Sequence, residues 1–202
     1  MKARNLKPRI GVLALQGDFE AHLKMLAKLG ADGIAIRLPE QLAEIHGIIL
    51  PGGESTTIGK LMVKYHLQEA LLEKIQEGVP VWGTCAGLIL LAKETDNALA
   101  GQPLLATMNI RVRRNAFGSQ RESFETDLAV PALGEAPYHA VFIRGPQIEA
   151  VGPGVEVLAA LDDGTIVAVR EGTSLGTAFH PEVAGDPRFH QYFLRIVQSV
   201  NR

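Results

Sequence analysis

Short apolar runs alternate with segments of helical periodicity over the first half of the chain. In residues 19–29, apolar side chains recur every three or four positions, as they do on the buried face of an amphipathic helix. Alternation of such helices with strands of four to six apolar residues is typical of a parallel sheet with helices on both faces. The pattern predicts strands at 10–15, 33–38, 47–50 and 79–82, and helices at 19–29, 55–64, 67–77 and 86–93.

The second half of the chain is richer in predicted strands. They fall at 110–113, 125–130, 139–144, 155–161, 166–170 and 174–179, and a closing helix spans 189–200. Asp162-Asp163-Gly164-Thr165 is a turn sequence typical of a hairpin. No linker rich in glycine, serine or proline divides the chain. We therefore predict an α/β fold in one domain, 1–202: a doubly wound, mostly parallel sheet with helices on both faces and an antiparallel extension.

Composition narrows the possible functions. Of the 202 residues, 47% are hydrophobic, which is enough for a buried core, and the net charge is only -2. That balance argues against a nucleic-acid binder that relies on bulk phosphate attraction. No apolar run is long enough to span a membrane, and the pattern does not suggest a secretory signal. We therefore expect a cytoplasmic protein that binds neither nucleic acid nor membrane, in which the single cysteine forms no internal disulfide.

The lone cysteine lies in the pentapeptide Gly83-Thr84-Cys85-Ala86-Gly87, between a predicted strand and a predicted helix. A nucleophile flanked in this way by two glycines is lifted above the sheet by a sharp turn. Free N–H groups at the start of the helix favour a thiolate, and the N–H of Ala86 is placed to stabilise an oxyanion. The alternative is a buried cysteine beside glycines that let helix and sheet pack closely.

His180 is the histidine best placed to serve such a cysteine. It follows a buried predicted strand, where the chain turns at Pro181, and Glu182 can reach back to its ring. A thiolate nucleophile needs a histidine to move protons, and the histidine needs a group that orients it. The alternative is a surface turn that happens to carry both residues. The other five histidines are expected to be structural or exposed: His22, His46, His66, His139 and His190. Of these, His22 and His66 lie on helical segments rich in charge and are expected to be solvated.

Adjacent glycines follow the third predicted strand, in Pro51-Gly52-Gly53-Glu54-Ser55. Such a loop can turn backbone N–H groups towards a ligand. One interpretation is a phosphate-binding nest, but the lysine of a phosphate-binding loop is missing. Another is the second donor of an oxyanion hole, with Glu54 facing a cationic group of the substrate. A turn capped by Ser55 as helix N-cap is the simplest interpretation and excludes neither of the others.

These segments resemble the class I, triad-type glutamine amidotransferases, and within them the glutaminase subunits of pyridoxal 5′-phosphate synthase. The cysteine pentapeptide and the His-Pro-Glu turn are shared by many glutaminases, whereas other segments are closer to this subfamily. The matching segments are Gly11-Val-Leu-Ala-Leu-Gln16-Gly17, Leu50-Pro-Gly-Gly-Glu-Ser-Thr-Thr57, Gly83-Thr-Cys-Ala-Gly87, Arg114-Asn-Ala-Phe-Gly118, Ser123-Phe-Glu125, Phe142-Ile-Arg144 and Phe179-His-Pro-Glu182. Ser119 departs from the arginine expected after Asn-x-Phe-Gly.

The resemblance implies a catalytic triad of Cys85, His180 and Glu182. It also implies an oxyanion hole at Gly53 and Ala86. The residues that it implies for binding L-glutamine are Gly52, Gly53, Glu54, Arg114, Ile143 and Arg144.

The reaction implied is hydrolysis of L-glutamine to L-glutamate and ammonia without a metal or cofactor. Ammonia would pass to a synthase subunit that makes pyridoxal 5′-phosphate, in a hetero-oligomer docked on a double hexameric ring. Pyridoxal 5′-phosphate would then be a product of the complex rather than a cofactor of this chain.

Three other functions remain open at this stage. The chain could serve a different synthase, such as the one in histidine biosynthesis, although the subfamily segments argue against this. It could be a glutaminase-like subunit kept for assembly or regulation, but such a subunit has no need of a complete triad. It could also be a cysteine hydrolase of peptides or esters on a similar sheet. For the favoured function we expect low activity until the partner docks, because a peptide of the Pro51-Gly52-Gly53 loop can flip.

Overall fold

The computed structural model describes residues 7–97, 99–114 and 123–201. These residues form five α-helices: α1 (Phe19–Lys28), α2 (Ser55–Lys64), α3 (Leu67–Gln76), α4 (Ala86–Leu91) and α5 (Arg188–Val200). They also form twelve strands: β1 (Arg9–Leu13), β2 (Asp32–Ile36), β3 (Gly47–Leu50), β4 (Val81–Thr84), β5 (Ala92–Asp96), β6 (Met108–Arg113), β7 (Ser123–Leu128), β8 (Tyr138–Ile143), β9 (Gln147–Val151), β10 (Val155–Ala160), β11 (Ile166–Glu171) and β12 (Ser174–Thr177). Short 3₁₀ turns lie at Pro39–Leu42 and Pro131–Leu133.

The main sheet has the strand order β2-β1-β3-β4-β12-β11-β9-β6-β5, with β10 paired to β11. From β2 to β12 all neighbouring strands are parallel, so their carboxyl ends meet at one edge. Strands β12, β11, β9 and β6 then pair antiparallel in turn. This arrangement confirms the predicted fold class, a doubly wound sheet with an antiparallel extension.

The extension differs from the prediction in two places. Strand β9 was not expected, and the predicted helix at 86–93 ends at Leu91, where the chain enters β5. Among the described residues strand β5 pairs with β6 alone, and its sequence Ala-Lys-Glu-Thr-Asp lacks an apolar run, so the pairing itself makes it a strand. The hairpin turn at 162–165 is confirmed, since β10 and β11 pair antiparallel across it.

Helix α5 packs against the parallel part of the sheet through a glycine. A Cβ at Gly47 of β3 would lie only 2.6 Å from Cγ2 of Val197 and 3.3 Å from the Phe193 ring. Beside it, the buried Trp82 ring of β4 lies 5.7 Å from that of Phe193, centroid to centroid. The core therefore reaches the strands whose carboxyl ends carry the candidate site. Among the described residues no helix is long and apolar enough to cross a membrane.

Candidate active site

Cys85 stands at a sharp turn between β4 and α4. Its backbone has φ 47° and ψ -103°, a conformation that side chains rarely adopt, and its N–H donates to the Thr177 carbonyl at 2.8 Å. A Cβ at Gly83 would lie 2.5 Å from the Gly87 carbonyl, and one at Gly87 would lie 1.9 Å from the Leu50 oxygen. Both glycines are therefore required sterically, and the predicted elbow geometry is confirmed. The cysteine is 7% exposed, so its sulfur lies at the bottom of a depression.

His180 and Glu182 form a buried pair beyond the end of β12. Nδ1 of His180 lies 2.6 Å from Oε1 of Glu182, and the glutamate side chain has no exposed surface. The backbone N–H of His180 donates to the Val141 carbonyl of β8 at 2.8 Å, which fixes the turn against a neighbouring strand. The sequence prediction that Glu182 reaches back to the imidazole is confirmed in geometry.

The electrostatic surroundings of His180 favour its protonated form. Burial lowers its pKa, but hydrogen bonding and charge interaction with Cys85 and Glu182 outweigh burial and raise the pKa to about 10. Nε2 is buried and forms no well-aligned hydrogen bond with any described residue. Such bonds are often long or misaligned in enzymes without substrate. Cys85 and His180 therefore act on each other as an electrostatic pair.

The glycine loop lies against the histidine on one side and the first strand's end on the other. A Cβ at Gly52 would lie 2.4 Å from Cε1 of His180, so the ring and the loop backbone are in close contact. The Gly52 carbonyl accepts from the N–H of Asp18 at 3.3 Å, and Oε1 of Gln16 accepts from the N–H of Glu54 at 2.8 Å. Gly53 has φ 154°, which favours glycine. The turn after β1 thus fixes the present orientation of the loop peptides.

Glu54, rather than Ser55, caps helix α2, which corrects the sequence prediction. Its carboxylate accepts from the N–H groups of Thr56 and Thr57 at 3.0 and 2.7 Å, and from the Thr57 hydroxyl at 2.7 Å. A longer side chain one position earlier reaches the free N–H groups that Ser55 was expected to serve. Although desolvation raises the pKa of Glu54, these hydrogen bonds lower it to about 2. The carboxylate is therefore an anion at neutral pH.

Arg114 joins this carboxylate through a side-chain network that sequence analysis missed. Its Nη2 lies 3.1 Å from Oε1 of Glu54, and its Nη1 donates to Oε1 of Gln102 at 2.8 Å. Gln102 in turn donates from Nε2 to the Ser55 hydroxyl at 3.1 Å. Gln102 lies in an irregular segment with no periodic pattern, so no sequence signal marks it. The segment 115–122, with the rest of the Arg114-Asn-Ala-Phe-Gly118 motif and Ser119, lies outside the described residues.

One cavity of about 480 Å³ brings these parts together. Of the predicted site residues, Gly52 and Glu182 do not line this cavity: Gly52 packs against the His180 ring, and Glu182 pairs with Nδ1 of that ring. Sγ of Cys85 lies 3.9 Å from the Ile143 carbonyl at the opposite wall. The lining residues are Gln16, Gly53, Glu54, Ser55, Cys85, Ala86, Ile89, Arg114, Ile143, Arg144 and His180.

Two buried histidines lie behind the site, and one of them corrects a prediction. His22 was predicted to be solvated, but it has no exposed surface, and the same is true of His190. The helical period contained the signal, because His22 is three residues from Phe19 and four from Leu26, on the apolar face of α1. The charged neighbours of His22 obscured that spacing.

Comparison with known proteins identifies one matching family model and several similar relatives. The model of the SNO glutamine amidotransferase family matches residues 12–199. The pyridoxal 5′-phosphate synthase subunit PdxT of Herpetosiphon aurantiacus is 60% identical over 92% of this chain and 98% of its own length. PdxT of Leifsonia xyli is 54% identical over 93% of this chain and 94% of its own.

Solved structures extend the likeness to the fold. A crystal structure of a glutamine amidotransferase has a TM-score of 0.88 and 47% identity, and the match covers 94% of this chain and 98% of that one. PurLQS from Thermotoga maritima has a TM-score of 0.71 at 16% identity, covering 98% of this chain and 100% of that one, which is a likeness of fold alone.

Proposed function

The chain belongs to the SNO glutamine amidotransferase family, and we propose that it is the glutaminase subunit of a pyridoxal 5′-phosphate synthase. It hydrolyses L-glutamine to L-glutamate and ammonia, and a synthase subunit uses the ammonia. The observation that carries this proposal is the line formed by Cys85, His180 and Glu182 at the inner end of a cavity whose mouth holds an anion and a cation. That cavity suits an amino acid with a reactive side-chain amide.

The acylation step follows from the electrostatic pair. With a raised pKa, His180 is an imidazolium at neutral pH, and an adjacent cation favours the thiolate form of a cysteine. The Cys85 sulfur attacks the amide carbon of glutamine and forms a tetrahedral oxyanion. His180 then donates its Nε2 proton to the leaving nitrogen, so that the C–N bond breaks, ammonia departs and a glutamyl thioester remains.

The deacylation step reverses the role of His180. Having given up its proton, the neutral imidazole accepts one from a water molecule that attacks the thioester carbon. A second oxyanion forms and collapses, the C–S bond breaks, and glutamate leaves. Glu182 holds Nδ1–H throughout and stabilises each imidazolium. Backbone N–H groups of Ala86 and Gly53 stabilise the oxyanion in both steps.

The outer end of the cavity binds the amino-acid part of glutamine. Glu54, anionic and half exposed, faces the α-ammonium group, and the Arg114 guanidinium attracts the α-carboxylate. Both groups keep partners within the protein, which holds them in place before substrate arrives. The backbone at Ile143 and Arg144 forms the opposite wall and contributes polar contacts along the substrate chain.

The partner of this chain is the synthase subunit, in a hetero-oligomer with glutaminase subunits docked on a double hexameric ring, in the cytoplasm. Neither nucleic acid nor membrane takes part, and the reaction needs no metal. Enclosure of the cavity mouth by the partner keeps ammonia from water, as the unreactive ammonium ion would otherwise form at neutral pH.

The proposal is tested with amide-¹⁵N glutamine, the full chain and a purified pyridoxal 5′-phosphate synthase subunit supplied with pentose and triose phosphates. We expect glutamate release and ¹⁵N in the pyridoxal 5′-phosphate formed, measured by mass spectrometry. Glutamate release without ¹⁵N in that product would assign the chain to a different synthase. Absence of glutamate release in the complex would contradict the glutaminase assignment itself.

A further inference from the structure

Two buried histidines form a chain that ends on the glutamate of the proposed triad. Nδ1 of His22 on α1 lies 3.0 Å from Nε2 of His190 on α5. On its other side, Nε2 of His22 lies 3.3 Å from Oε2 of Glu182 and 3.4 Å from the Thr84 hydroxyl. The described part of the chain therefore contains a continuous line of rings and carboxylate from α5 to His180.

Oε2 of Glu182 is a buried oxygen that needs a hydrogen-bond donor. The carboxylate is completely buried, and its other oxygen, Oε1, already accepts from His180. A buried carboxylate oxygen without a donor is costly. Among the described residues Oε2 has no fully aligned hydrogen bond, and Nε2 of His22 lies within ion-pair distance of it. If Nε2 of His22 carries a proton, a small rotation of the His22 ring or the Glu182 carboxylate aligns it as the missing donor.

The hydrogen-bond partners select one tautomer for each histidine. If Nε2 of His22 carries the proton, Nδ1 is an acceptor, and the proton between the two rings belongs to Nε2 of His190. His190 is then left with a bare Nδ1, which has no partner among the described residues. The opposite tautomers would turn a lone pair of His22 towards the carboxylate and bury an N–H of His190 without an acceptor, which costs more.

Both histidines are neutral donors rather than ion-pair partners. Desolvation lowers the pKa of His22 well below its usual value, with further lowering from His190 and His180, and burial lowers the pKa of His190 to about 3. The groups that face His22 are thus His190 from α5, Glu182 and His180 from beyond β12, and Thr84 from β4. A neutral donor orients the Glu182 carboxylate without cancelling the negative charge that His180 needs.

We propose that His22 is a positioning residue, whose Nε2–H, held by His190, orients Glu182 and thereby aligns the His180 ring with Cys85. The inference rests on the proposed function, because it assigns His22 a role in the same reaction. It also makes a claim about Cys85 and His180 that can be measured without glutamine.

The decisive variants are His22→Leu, which removes the donor, and His22→Gln, whose side-chain N–H can replace Nε2–H. Leu26→Ala is the matched control, since Leu26 is buried one turn away on the same helix and carries no donor. Because the chain has a single cysteine, the rate of alkylation by iodoacetamide reports the Cys85 thiolate directly. This rate is measured on the full chain from pH 5 to pH 10, without substrate or partner.

We expect His22→Leu to slow alkylation at neutral pH about tenfold, since a misaligned imidazolium no longer holds the thiolate. The titration midpoint of His180, followed by NMR of its ring, should move down from its raised value as the Glu182 contribution weakens. His22→Gln should recover most of the parent rate, and Leu26→Ala should match the parent. Equal rates for His22→Leu and the parent, or equal losses in His22→Leu and Leu26→Ala, would overturn the proposal.

The unmodified protein provides a test that no folding defect can affect. Two-bond ¹H–¹⁵N spectra distinguish the tautomers of a neutral histidine, and we expect Nε2–H for both His22 and His190. A proton on Nδ1 of His22 would contradict the proposed donor. In the complex with the synthase subunit, His22→Leu should lower kcat for glutamine on the order of tenfold with little change in KM. If the parent itself hydrolysed no glutamine, the proposed function would fail while alkylation and NMR still decided the role of His22.

Discussion

The inner and outer ends of the cavity are built in different ways. At the inner end, Cys85 and His180 are 7% and 8% exposed, and backbone hydrogen bonds to neighbouring strands hold both. At the outer end, the Glu54 side chain is 49% exposed and that of Arg114 13%, and mainly side-chain contacts and a helix cap hold them. Strand backbones cannot shift without disturbing the core, whereas exposed side chains can reorient at small cost.

This difference separates chemistry from binding. In the proposed mechanism the nucleophile and the base must keep their geometry to within a fraction of an ångström, and Cys85 and His180 stand at rigid strand ends. The outer groups of the proposed site must admit glutamine and release glutamate, and they stand on a surface loop and directly after β6. Changes at the inner end should therefore affect kcat most, and changes at the outer end should affect KM most.

Loss of the nucleophile should have the largest effect at the inner end. Cys85→Ala removes the sulfur that is proposed to form the thioester, and we expect glutaminase activity to fall by about four orders of magnitude or more. Alanine occupies the turn with the same Cβ, so the circular dichroism spectrum and the melting temperature should stay close to the parent's. Substantial glutamate release by this variant in the presence of the synthase subunit would refute the mechanism.

The two remaining triad positions should rank in order. His180→Asn removes the proton carrier and should be nearly as damaging as Cys85→Ala. Glu182→Gln removes charge but keeps a group of the same shape, so we expect a smaller loss, on the order of a hundredfold in kcat. Steady-state kinetics with glutamine in the complex measure both. A parent rate in His180→Asn would show that a different histidine is the base.

Dependence on the partner tests whether the glycine loop, which lies between the two ends of the cavity, can change its conformation. The Gly52 carbonyl is held by Asp18, and docking of the synthase subunit is expected to turn the Gly52–Gly53 peptide so that its N–H faces the oxyanion. One oxyanion donor is worth on the order of a hundredfold in turnover, and we expect a rise of that size when the synthase subunit is added. Equal rates with and without the synthase subunit would contradict the gating but not the triad.

Gly53→Ala should reduce this activation, because its Cβ would lie 2.4 Å from Oε1 of Gln16 at a positive φ. Gly134→Ala is the matched control, since Gly134 also has a positive φ, of 110°, but a Cβ there would meet none of the described residues within 4 Å. An equal loss of activation in the two variants would show that backbone strain, rather than the position of Gly53 in the loop, causes the loss.

The outer end should respond mainly in KM. Arg114→Ala removes the cation expected to attract the α-carboxylate, and we expect KM for glutamine to rise about tenfold or more with a smaller change in kcat. Gln102→Ala leaves the guanidinium but removes its second anchor, so its effect should be smaller. Arg111→Ala, at an exposed ion pair with Asp96, is the control. An unchanged KM in Arg114→Ala would remove that residue from the binding site.

The smallest effect is expected in acid stability, which distinguishes His190 from His180 because folding shifts their pKa values in opposite directions. The pKa of His190 falls from 6.5 to about 3 on folding, so stability is complete above pH 6.5 and is lost as pH falls. At pH 5 this one group should cost about 2 kcal/mol of unfolding free energy. The pKa of His180 is instead raised on folding to about 10, so its contribution to stability is complete below about pH 6.5 and is lost as the pH rises towards 10. Urea unfolding at pH 7 and pH 5 should show a smaller pH dependence for His190→Phe than for the parent.

Features that depend on local sterics and short spacings could be predicted from the sequence. The glycines around Cys85 are required because any Cβ there would strike backbone atoms, and that requirement is visible as a pentapeptide. Glu182 reaches His180 because only one residue, Pro181, lies between them. The parallel half of the sheet followed from apolar runs alternating with helical periodicity.

Contacts between segments distant along the chain could not be predicted in this way, because they depend on how the fold brings those segments together. Strands β5 and β9 exist because β6 pairs with each of them, and neither has an apolar run of its own that marks it. Glu54, Arg114 and Gln102 meet across up to sixty positions, and His22 meets His190 across 168. Polar side chains carry no periodic signal for such partners. Which partner each side chain meets depends on whether the fold places a matching donor or acceptor within reach, and for His22 it places Glu182 there.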